Sequence, residues 1–216
     1  MKTHLILLAG GTGSRFGSPL PKQFLPLGGA PLFHKGLHTL VQIPSLDQIV
    51  IVIDPEFASY LPTGASGAPG AYLTASPGAT RMGSVKSGFA QISAEPGDLI
   101  LIHDGARPHI NRKDVERLLA ASAEVGAAVL GCPVVHTLKR VQNKRVLETV
   151  PRDELWEVYT PQCIEASLLT EALQLDIPAT DDVSLVEALG RPVAMVRAEK
   201  AIPKVTYKED YEALNV

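Results

Sequence analysis

The sequence predicts an α/β fold, a three-layer α/β/α sandwich around a mostly parallel β-sheet. Short apolar runs recur along the 216-residue chain. Several of them are apolar throughout, which is typical of parallel strands that are buried on both faces. Helical patterns lie between these runs, and such alternation predicts a sheet covered by helices on both sides. With 45% hydrophobic and 20% charged residues, the chain is expected to form one globular domain, residues 1–216.

Each element has its own sequence signal. The predicted strands cover residues 4–8, 48–53, 71–75, 98–103, 126–135 and 191–198. The predicted helices cover residues 31–43, 80–92 and 111–126. Pro31 is expected at the first helical position of the first helix, and the third should begin after an Asn111 cap and close at Gly126. The Gly/Pro/Ser-rich segment 61–70 is predicted to be a loop without chemistry.

Residues 136–150, hereafter the arm, break this alternation. They predict two short polar strands with a turn between Gln142 and Lys144. Because two isolated strands are only marginally stable, the arm is expected to pack on something else. A second subunit is the natural candidate.

Charge and composition exclude several classes of protein. A net charge of −3 argues against general binding to nucleic acid or to membrane surfaces. No apolar run reaches membrane-spanning length, and the first residues lack a leader pattern. Cys132 and Cys163 have no zinc-site spacing and are expected to be reduced thiols. The expectation is a cytoplasmic protein.

The strongest functional signal is LLAGGTGSRFGSPLPKQFL, residues 7–25, which follows the first predicted strand. It is not a P-loop, because Lys22 is followed by Gln23, and it fails the dinucleotide fingerprint, because Phe16 stands at the third glycine position. Glycines let backbone N–H groups approach a ligand's oxygens closely. Together with Arg15 and Lys22, they favour a triphosphate ligand.

Asp104 follows the predicted strand 98–103, and ligands of open α/β sheets collect at the carboxyl ends of strands. A carboxylate at this place suits a Mg²⁺ ion shared with nucleotide phosphates. The alternative interpretation is an aspartate that stabilises the turn before Gly105.

The segment 7–25 resembles the opening of sugar-nucleotide pyrophosphorylases and cytidylyltransferases, and its PKQFL portion resembles the 2-C-methyl-D-erythritol 4-phosphate cytidylyltransferases of isoprenoid biosynthesis. Six further motifs continue this likeness in order along nearly the whole chain: GATRMGSVKSG (78–88), HDGARP (103–108), PVVHTLKR (133–140), TVPRDELWEVYTPQ (149–162), TDDVSLVEALG (180–190) and KVTYKED (204–210). The resemblance implies a Rossmann-like sheet of the nucleotidyltransferase type. It also implies CTP and a polyol phosphate as substrates, Mg²⁺ as cofactor, and a homodimer joined through the arm.

The resemblance further implies roles for individual residues. The expected nucleotide-binding residues are Ala9, Gly10, Gly11, Thr12, Gly13, Arg81, Gly83 and Ser84. Here Gly83 and Ser84 would read the base, and Arg81 would organise the loop unless it is a surface arginine at a helix start. The expected catalytic residues are Arg15, Lys22, Arg152 and Lys204. The expected acceptor-binding residues are Asp104, Arg107, Thr137 and Thr180, with Asp104 also on the metal.

Two positions depart from the family pattern and leave the acceptor open. His136 stands where the family has an aspartate, and Ile202 replaces an amide side chain. A ribitol 5-phosphate cytidylyltransferase, which shares the glycine loop and PKQFL, is the alternative within the class. A nucleotide-binding regulatory protein without turnover is the alternative from another class.

Overall fold

A computed structural model describes residues 1–62, 72–175 and 177–215 of the chain. The strands are β1 (Thr3–Leu8), β2 (Pro26–Leu27), β3 (Ala30–Pro31), β4 (Leu46–Val52), β5 (Leu73–Ala75), β6 (Leu99–Asp104), β7 (Ala127–Pro133), β8 (Leu138–Gln142), β9 (Arg145–Val150), β10 (Trp156–Glu165) and β11 (Ala194–Arg197). The helices are α1 (Leu32–Leu40), α2 (Arg81–Phe89), α3 (Arg112–Val125), α4 (Ala166–Ala172), α5 (Val183–Ala188) and α6 (Lys208–Glu212). Short 3₁₀ helices cover Lys22–Phe24, Pro55–Tyr60 and Ala213–Asn215. Most of the loop predicted at 61–70 lies outside the described residues.

Seven strands form the central sheet, in the order β11-β7-β10-β6-β1-β4-β5. All neighbours pair in parallel except β10, which runs antiparallel to both β6 and β7. The predicted mostly parallel sheet is therefore confirmed, and the predicted strands all lie in it. Strand β10 was not predicted, because Thr160, Pro161 and Gln162 interrupt its apolar character in the buried middle of the strand.

The two faces of the sheet bury separate apolar clusters, which explains why the parallel strands are apolar throughout. Leu5 and Leu7 of β1 pack with α1 and α3 on one face, whereas Ile6 packs with α2, α4 and α5 on the other. This arrangement gives the predicted three layers.

The helix ends follow their predicted caps with one correction. The Asn111 side chain accepts a hydrogen bond from the Lys113 N–H at 2.9 Å, and Gly126 ends α3 in the left-handed region at φ 98°. Pro31, predicted at the first helical position of α1, lies one position earlier, at the cap itself.

Strands β8 and β9 form the arm as a separate two-stranded sheet, as predicted. Asn143 and Lys144 make its turn with positive φ angles of 49° and 61°, a backbone shape that suits tight hairpins. Val141, Val146 and Leu147 leave 55%, 61% and 56% of their surface exposed. The arm therefore presents apolar side chains that its own chain does not cover.

The register of the sheet fixes where a ligand can bind. Leu8, the last residue of β1, lies opposite Asp104, the last residue of β6, and the Gly105 N–H donates to the Leu8 carbonyl at 2.9 Å. The glycine-rich segment and Asp104 therefore emerge side by side at one edge of the sheet. In the described ranges, no helix is long and apolar enough to cross a membrane.

Candidate active site

A cavity of about 400 Å³ opens at the carboxyl ends of β1 and β6, a volume within the usual range for small-molecule sites. The residues lining it are Leu8, Gly10, Gly11, Thr12, Gly13, Ser14, Arg15, Lys22, Gln23, Gly78, Ala79, Thr80, Arg81, Ser84, Asp104, Ala106 and Lys204. The structure thus brings together most of the residues predicted to bind the nucleotide, two of the predicted catalytic cations beside each other, and Lys204 from near the end of the chain.

Residues 9–15, the glycine loop, form one wall of the cavity. Ala9 is buried, and its N–H donates to the Val52 carbonyl at 2.8 Å, which anchors the start of the loop. A Cβ atom at Gly10 would lie 2.4 Å from Cβ of Pro77, so only glycine fits there, and Gly13 has a φ of 68°. Within the described ranges, no backbone hydrogen bond uses the N–H groups of residues 10–15. Several amide donors are thus left for a ligand.

Lys22 adds a buried cation to this wall. It is 8% exposed, and burial lowers its pKa to about 8, with repulsion from Lys204 and Arg15 adding to the effect. Arg15 is exposed and borders the same cavity. Cations that repel one another in the free protein are stabilised by a bound polyanion, so this wall suits a triphosphate.

Asp104, at the end of β6 beside the start of the loop, lies among three cations. Its Oδ1 accepts from Nε of Arg81 at 3.0 Å, its Oδ2 accepts from Nζ of Lys204 at 2.7 Å, and Nε of Arg107 is 3.9 Å away. Burial alone would raise the pKa of this carboxyl, but Arg81 and Lys204 hold it far below the usual range. Asp104 is therefore an anion that orients Lys204 toward the cavity.

Arg81 connects Asp104 to a buried carboxylate that sequence reasoning missed. Its Nη1 and Nη2 donate to the two oxygens of Asp182 at 2.7 and 2.8 Å, and Asp182 is fully buried. The two carboxylates raise the pKa of Arg81 although burial opposes them. The guanidinium lines the cavity and holds these two carboxylates together, which fits the organising role expected for Arg81 rather than a surface arginine at a helix start.

The turn before α2 supplies the remaining wall. Thr80 caps the helix by accepting from the Gly83 N–H at 3.0 Å, while the Ser84 hydroxyl accepts from the Gly78 N–H and donates to the Thr80 carbonyl, both at 3.1 Å. Ser84 lines the cavity, whereas Gly83 lies behind it, where a Cβ at Gly78 would come within 2.5 Å of its carbonyl carbon. Gly78, Ala79 and Thr80, which were not singled out from the sequence, border the cavity directly.

Comparison with known proteins decides what kind of enzyme carries this cavity. The family model described as 2-C-methyl-D-erythritol 4-phosphate cytidylyltransferase matches residues 3–215. The chain belongs to this family. It is therefore a nucleotidyltransferase, and the resemblance noted in the sequence is confirmed.

Curated relatives and solved structures agree with this assignment. The cytidylyltransferase of Chlamydia pneumoniae is 37% identical over 214 residues, covering 97% of this chain and 96% of the relative. The chloroplastic protein of Oryza sativa subsp. japonica is 36% identical, covering 95% of this chain and 71% of the relative. The crystal structure from Thermus thermophilus is 32% identical with a TM-score of 0.80, covering 99% of this chain and 97% of the other. The one from Francisella tularensis is 25% identical with a TM-score of 0.84, covering 100% and 99%.

Arg107 was predicted to bind the acceptor, but in this structure its side chain turns into the protein. Its Nη1 donates to the Ile202 carbonyl, its guanidinium carbon lies 5.5 Å from the ring centre of Tyr159, and it does not line the cavity. Ile202, the departure from the family's amide, is buried in the core. The arginine therefore supports the backbone two residues before Lys204.

A buried network fixes the segment that carries Asp104. Nε2 of His103 lies 3.0 Å from the Arg107 carbonyl, which can only accept, so Nδ1 accepts from the Thr160 hydroxyl at 3.2 Å. The Asp104 N–H donates to the same hydroxyl at 3.0 Å. Burial lowers the pKa of His103 to about 4, so the ring is neutral and serves to position the turn.

Three predicted residues lie apart from the cavity. Thr137 lies near the start of the arm and Arg152 just beyond its end, and both are exposed, with Nη1 of Arg152 donating to the Val135 carbonyl. Thr180 is exposed in the loop before α5. One copy of the chain therefore assembles this cavity without these three residues.

Proposed function

We propose that this chain transfers the cytidylyl group of CTP to 2-C-methyl-D-erythritol 4-phosphate, giving 4-diphosphocytidyl-2-C-methyl-D-erythritol and pyrophosphate. The single observation that supports it most is the cavity, whose lining combines Arg15, Lys22 and the Asp104–Lys204 pair with loop N–H groups that have no backbone acceptor among the described residues. Relatives that carry this enzymatic name match the chain over nearly its whole length.

The reaction needs positioning and charge stabilisation more than acid–base chemistry. A phosphate oxygen of the acceptor attacks the α-phosphorus of CTP in line, a new P–O bond forms, and the bond to the β-phosphate oxygen breaks as pyrophosphate leaves. The nucleophile is already anionic at neutral pH, so no general base is required. Arg15 and Lys22 stabilise the charge on the α-phosphate and the leaving group, while Arg152 and Lys204 hold the attacking phosphate.

Asp104 fits a Mg²⁺ ion that arrives with the triphosphate. Each of its oxygens has one hydrogen bond, to Arg81 or to Lys204, and a carboxylate offers about four lone-pair directions. Mg²⁺ in nucleotide sites is commonly held by one or two carboxylates together with phosphates and waters. When bound, the ion would neutralise phosphate charge, and Asp104 would be its protein ligand.

The acceptor side is completed by a second copy of the chain in this proposal. The exposed apolar residues of the arm call for a partner surface, and Thr137 and Arg152 at its base lie away from their own cavity. A homodimer joined through the arm would bring these two residues to the neighbour's cavity. We place this enzyme in the cytoplasm, in keeping with its two free cysteines.

The test is pyrophosphate release from purified protein with CTP and either 2-C-methyl-D-erythritol 4-phosphate or ribitol 5-phosphate. Turnover with the former and little with the latter is the expected result. Preference for ribitol 5-phosphate would assign the alternative acceptor, and no release with either, despite CTP binding, would favour a regulatory protein.

The same assay tests the choice of nucleotide. We expect CTP to be used far better than UTP, ATP or GTP, because a wall that hydrogen-bonds the base rejects analogues that leave its groups unpaired. Comparable turnover with ATP or GTP would contradict this assignment.

A further inference from the structure

Gln23 is a buried residue of the cavity that the reaction described above does not use. It is 3% exposed and follows Lys22 in the 3₁₀ helix Lys22–Phe24. Its Nε2 donates to the Ala9 carbonyl at 2.7 Å and to the Gly11 carbonyl at 2.8 Å. Both N–H hydrogens of this side-chain amide are thus donated to carbonyls of the glycine loop.

These two bonds determine which way the loop's peptide groups point. In a planar trans peptide, the carbonyl of one residue and the N–H of the next point in opposite directions. Holding the carbonyls of Ala9 and Gly11 toward Gln23 therefore directs the N–H groups of Gly10 and Thr12 away from it. Both of these residues line the cavity, and in the described ranges neither N–H has a backbone acceptor.

The loop needs such a brace because glycines leave its peptide planes free to rotate. A flipped peptide at either position would present a carbonyl oxygen to the phosphates in place of an N–H, replacing an attraction with a repulsion. The Lys22–Phe24 turn also ties this brace to the neighbouring lysine, so the cation and the two amides share one support.

We propose that Gln23 is a positioning residue that fixes the orientation of two peptide groups in the glycine loop, so that their N–H groups point toward the triphosphate of CTP. The inference rests on the proposed use of CTP. If the wild-type protein does not turn over CTP, the proposed function fails. If it does and the variants below behave like wild type, this inference alone fails.

Two variants test the brace. Gln23→Met keeps the volume and removes both donors, and Gln23→Glu keeps the shape but places an anion against two carbonyl oxygens. We expect the KM for CTP to rise about 10- to 100-fold in each, the range for buried groups left unpaired. The KM for the acceptor, measured at saturating CTP, should change by less than about 3-fold, because the brace touches only the nucleotide wall.

A pH profile separates positioning from a merely structural role. Burial beside two carbonyls raises the pKa of the introduced carboxyl, and its protonated form can donate one hydrogen bond back to the loop. The ratio of the KM for CTP in Gln23→Glu to that of wild type should therefore become smaller as the pH falls from about 8 to about 6. The same ratio for Gln23→Met should stay constant.

Gln42→Met is the matched control. Nε2 of Gln42 also donates to a backbone carbonyl, that of His38 at 3.1 Å, but on the exposed end of α1. It should leave both KM values unchanged. Four outcomes would each overturn the proposal. They are a wild-type KM for CTP in both Gln23 variants, an equal rise in KM for CTP and for the acceptor, a KM for CTP in Gln23→Glu whose excess over wild type does not change with pH, and failure of both variants to fold.

Discussion

Lys204 reaches across the cavity edge to donate to Asp104 at 2.7 Å, joining the end of β6 to a residue 100 positions later in the chain. Arg81 occupies the other oxygen of the same carboxylate. One anion therefore orients a catalytic candidate and an organising arginine together. Substitution of Asp104 should therefore disturb the charge balance of Arg81 and Lys204 as well as any contact of the carboxylate with a bound ion.

Asp104→Asn should reduce kcat/KM by about 100-fold, because Lys204 loses its charged partner and the proposed ion loses its carboxylate. The neutral amide also leaves Arg81 undercompensated, so the free energy of unfolding should fall by about 3 kcal/mol, at the lower end of the range for broken buried ion pairs. Steady-state kinetics and urea unfolding measure the two effects. Near-normal activity together with normal stability would show that this carboxylate has neither role.

Activity should depend on Mg²⁺. Removing divalent ions with EDTA should abolish pyrophosphate release, and added Mg²⁺ should restore it, because the triphosphate charge exceeds what Arg15 and Lys22 can offset. Circular dichroism of the EDTA-treated protein should be unchanged, since the ion is expected to arrive with the nucleotide. Full activity in EDTA would remove Mg²⁺ from the mechanism.

The pH dependence should report Lys22. Its pKa in the free protein is lowered to about 8, first by burial and then by Lys204 and Arg15. Only the protonated form can stabilise the charge of the transition state, so kcat/KM for CTP should fall as the pH rises through about 8.

Lys22→Arg provides the matched test of that assignment. The guanidinium stays charged across the range, so this variant should lack the alkaline fall near pH 8 while being less active, because a planar fork replaces a compact charge. A wild-type kcat/KM that stays flat to about pH 10 would contradict the assignment.

The parts of the site that the sequence predicted are those built from local signals. The glycine loop and Asp104 were each predicted to follow a buried strand, because such strands are continuous apolar runs, and the carboxyl ends of parallel strands share one edge of the sheet. In the structure, Leu8 and Asp104 lie side by side at that edge. The motif gave the position of Arg107 but not the direction of its side chain, which packing against Tyr159 determines.

The parts that sequence reasoning missed depend on tertiary partners. Asp182 resembles a surface carboxylate in the sequence, and only the fold shows it buried against Arg81. Strand β10 is hard to predict because Thr160 and Gln162 are polar, and buried polar residues occur inside a sheet only when other elements supply their hydrogen bonds. Gln162 has such bonds, since it accepts from the N–H groups of Asp182 and Val183 at 2.9 and 3.1 Å.

The arm should contribute to the neighbour's site in a way that mixing experiments can detect. When the polyol phosphate is supplied near its wild-type KM, Lys22→Ala and Arg152→Ala should each be nearly inactive alone, the first through its lowered kcat and the second through its raised KM. When the two proteins are mixed and allowed to exchange subunits, half of the dimers carry one intact site out of two. Activity should then recover to about one quarter of the wild-type value, as expected for a closed two-fold dimer.

Val146→Asp should block this recovery by adding a charge to the exposed apolar surface of the arm. Sedimentation should show a monomer that still binds CTP. No recovery on mixing, although wild-type subunits exchange under the same conditions, would show that Arg152 acts within its own chain.

The four basic residues should divide into two kinetic classes according to where they lie. Lys22 and Arg15 line the cavity proposed to receive the triphosphate, and interactions made mainly in the transition state lower kcat and kcat/KM together. Lys22→Ala and Arg15→Ala should each reduce kcat by about 10²- to 10³-fold, the range for one preorganised donor, with little change in CTP affinity because the loop amides remain.

Arg152→Ala and Lys204→Ala should mainly raise the KM for the polyol phosphate. Arg112→Ala, which removes a surface arginine paired with Glu116 on α3, is the control. It should match wild type in kcat and in the KM values for CTP and for the polyol phosphate. If Lys22→Ala turns over normally and only binds CTP more weakly, the loop holds the nucleotide without stabilising the transition state, and the catalytic charge must come from another part of the cavity.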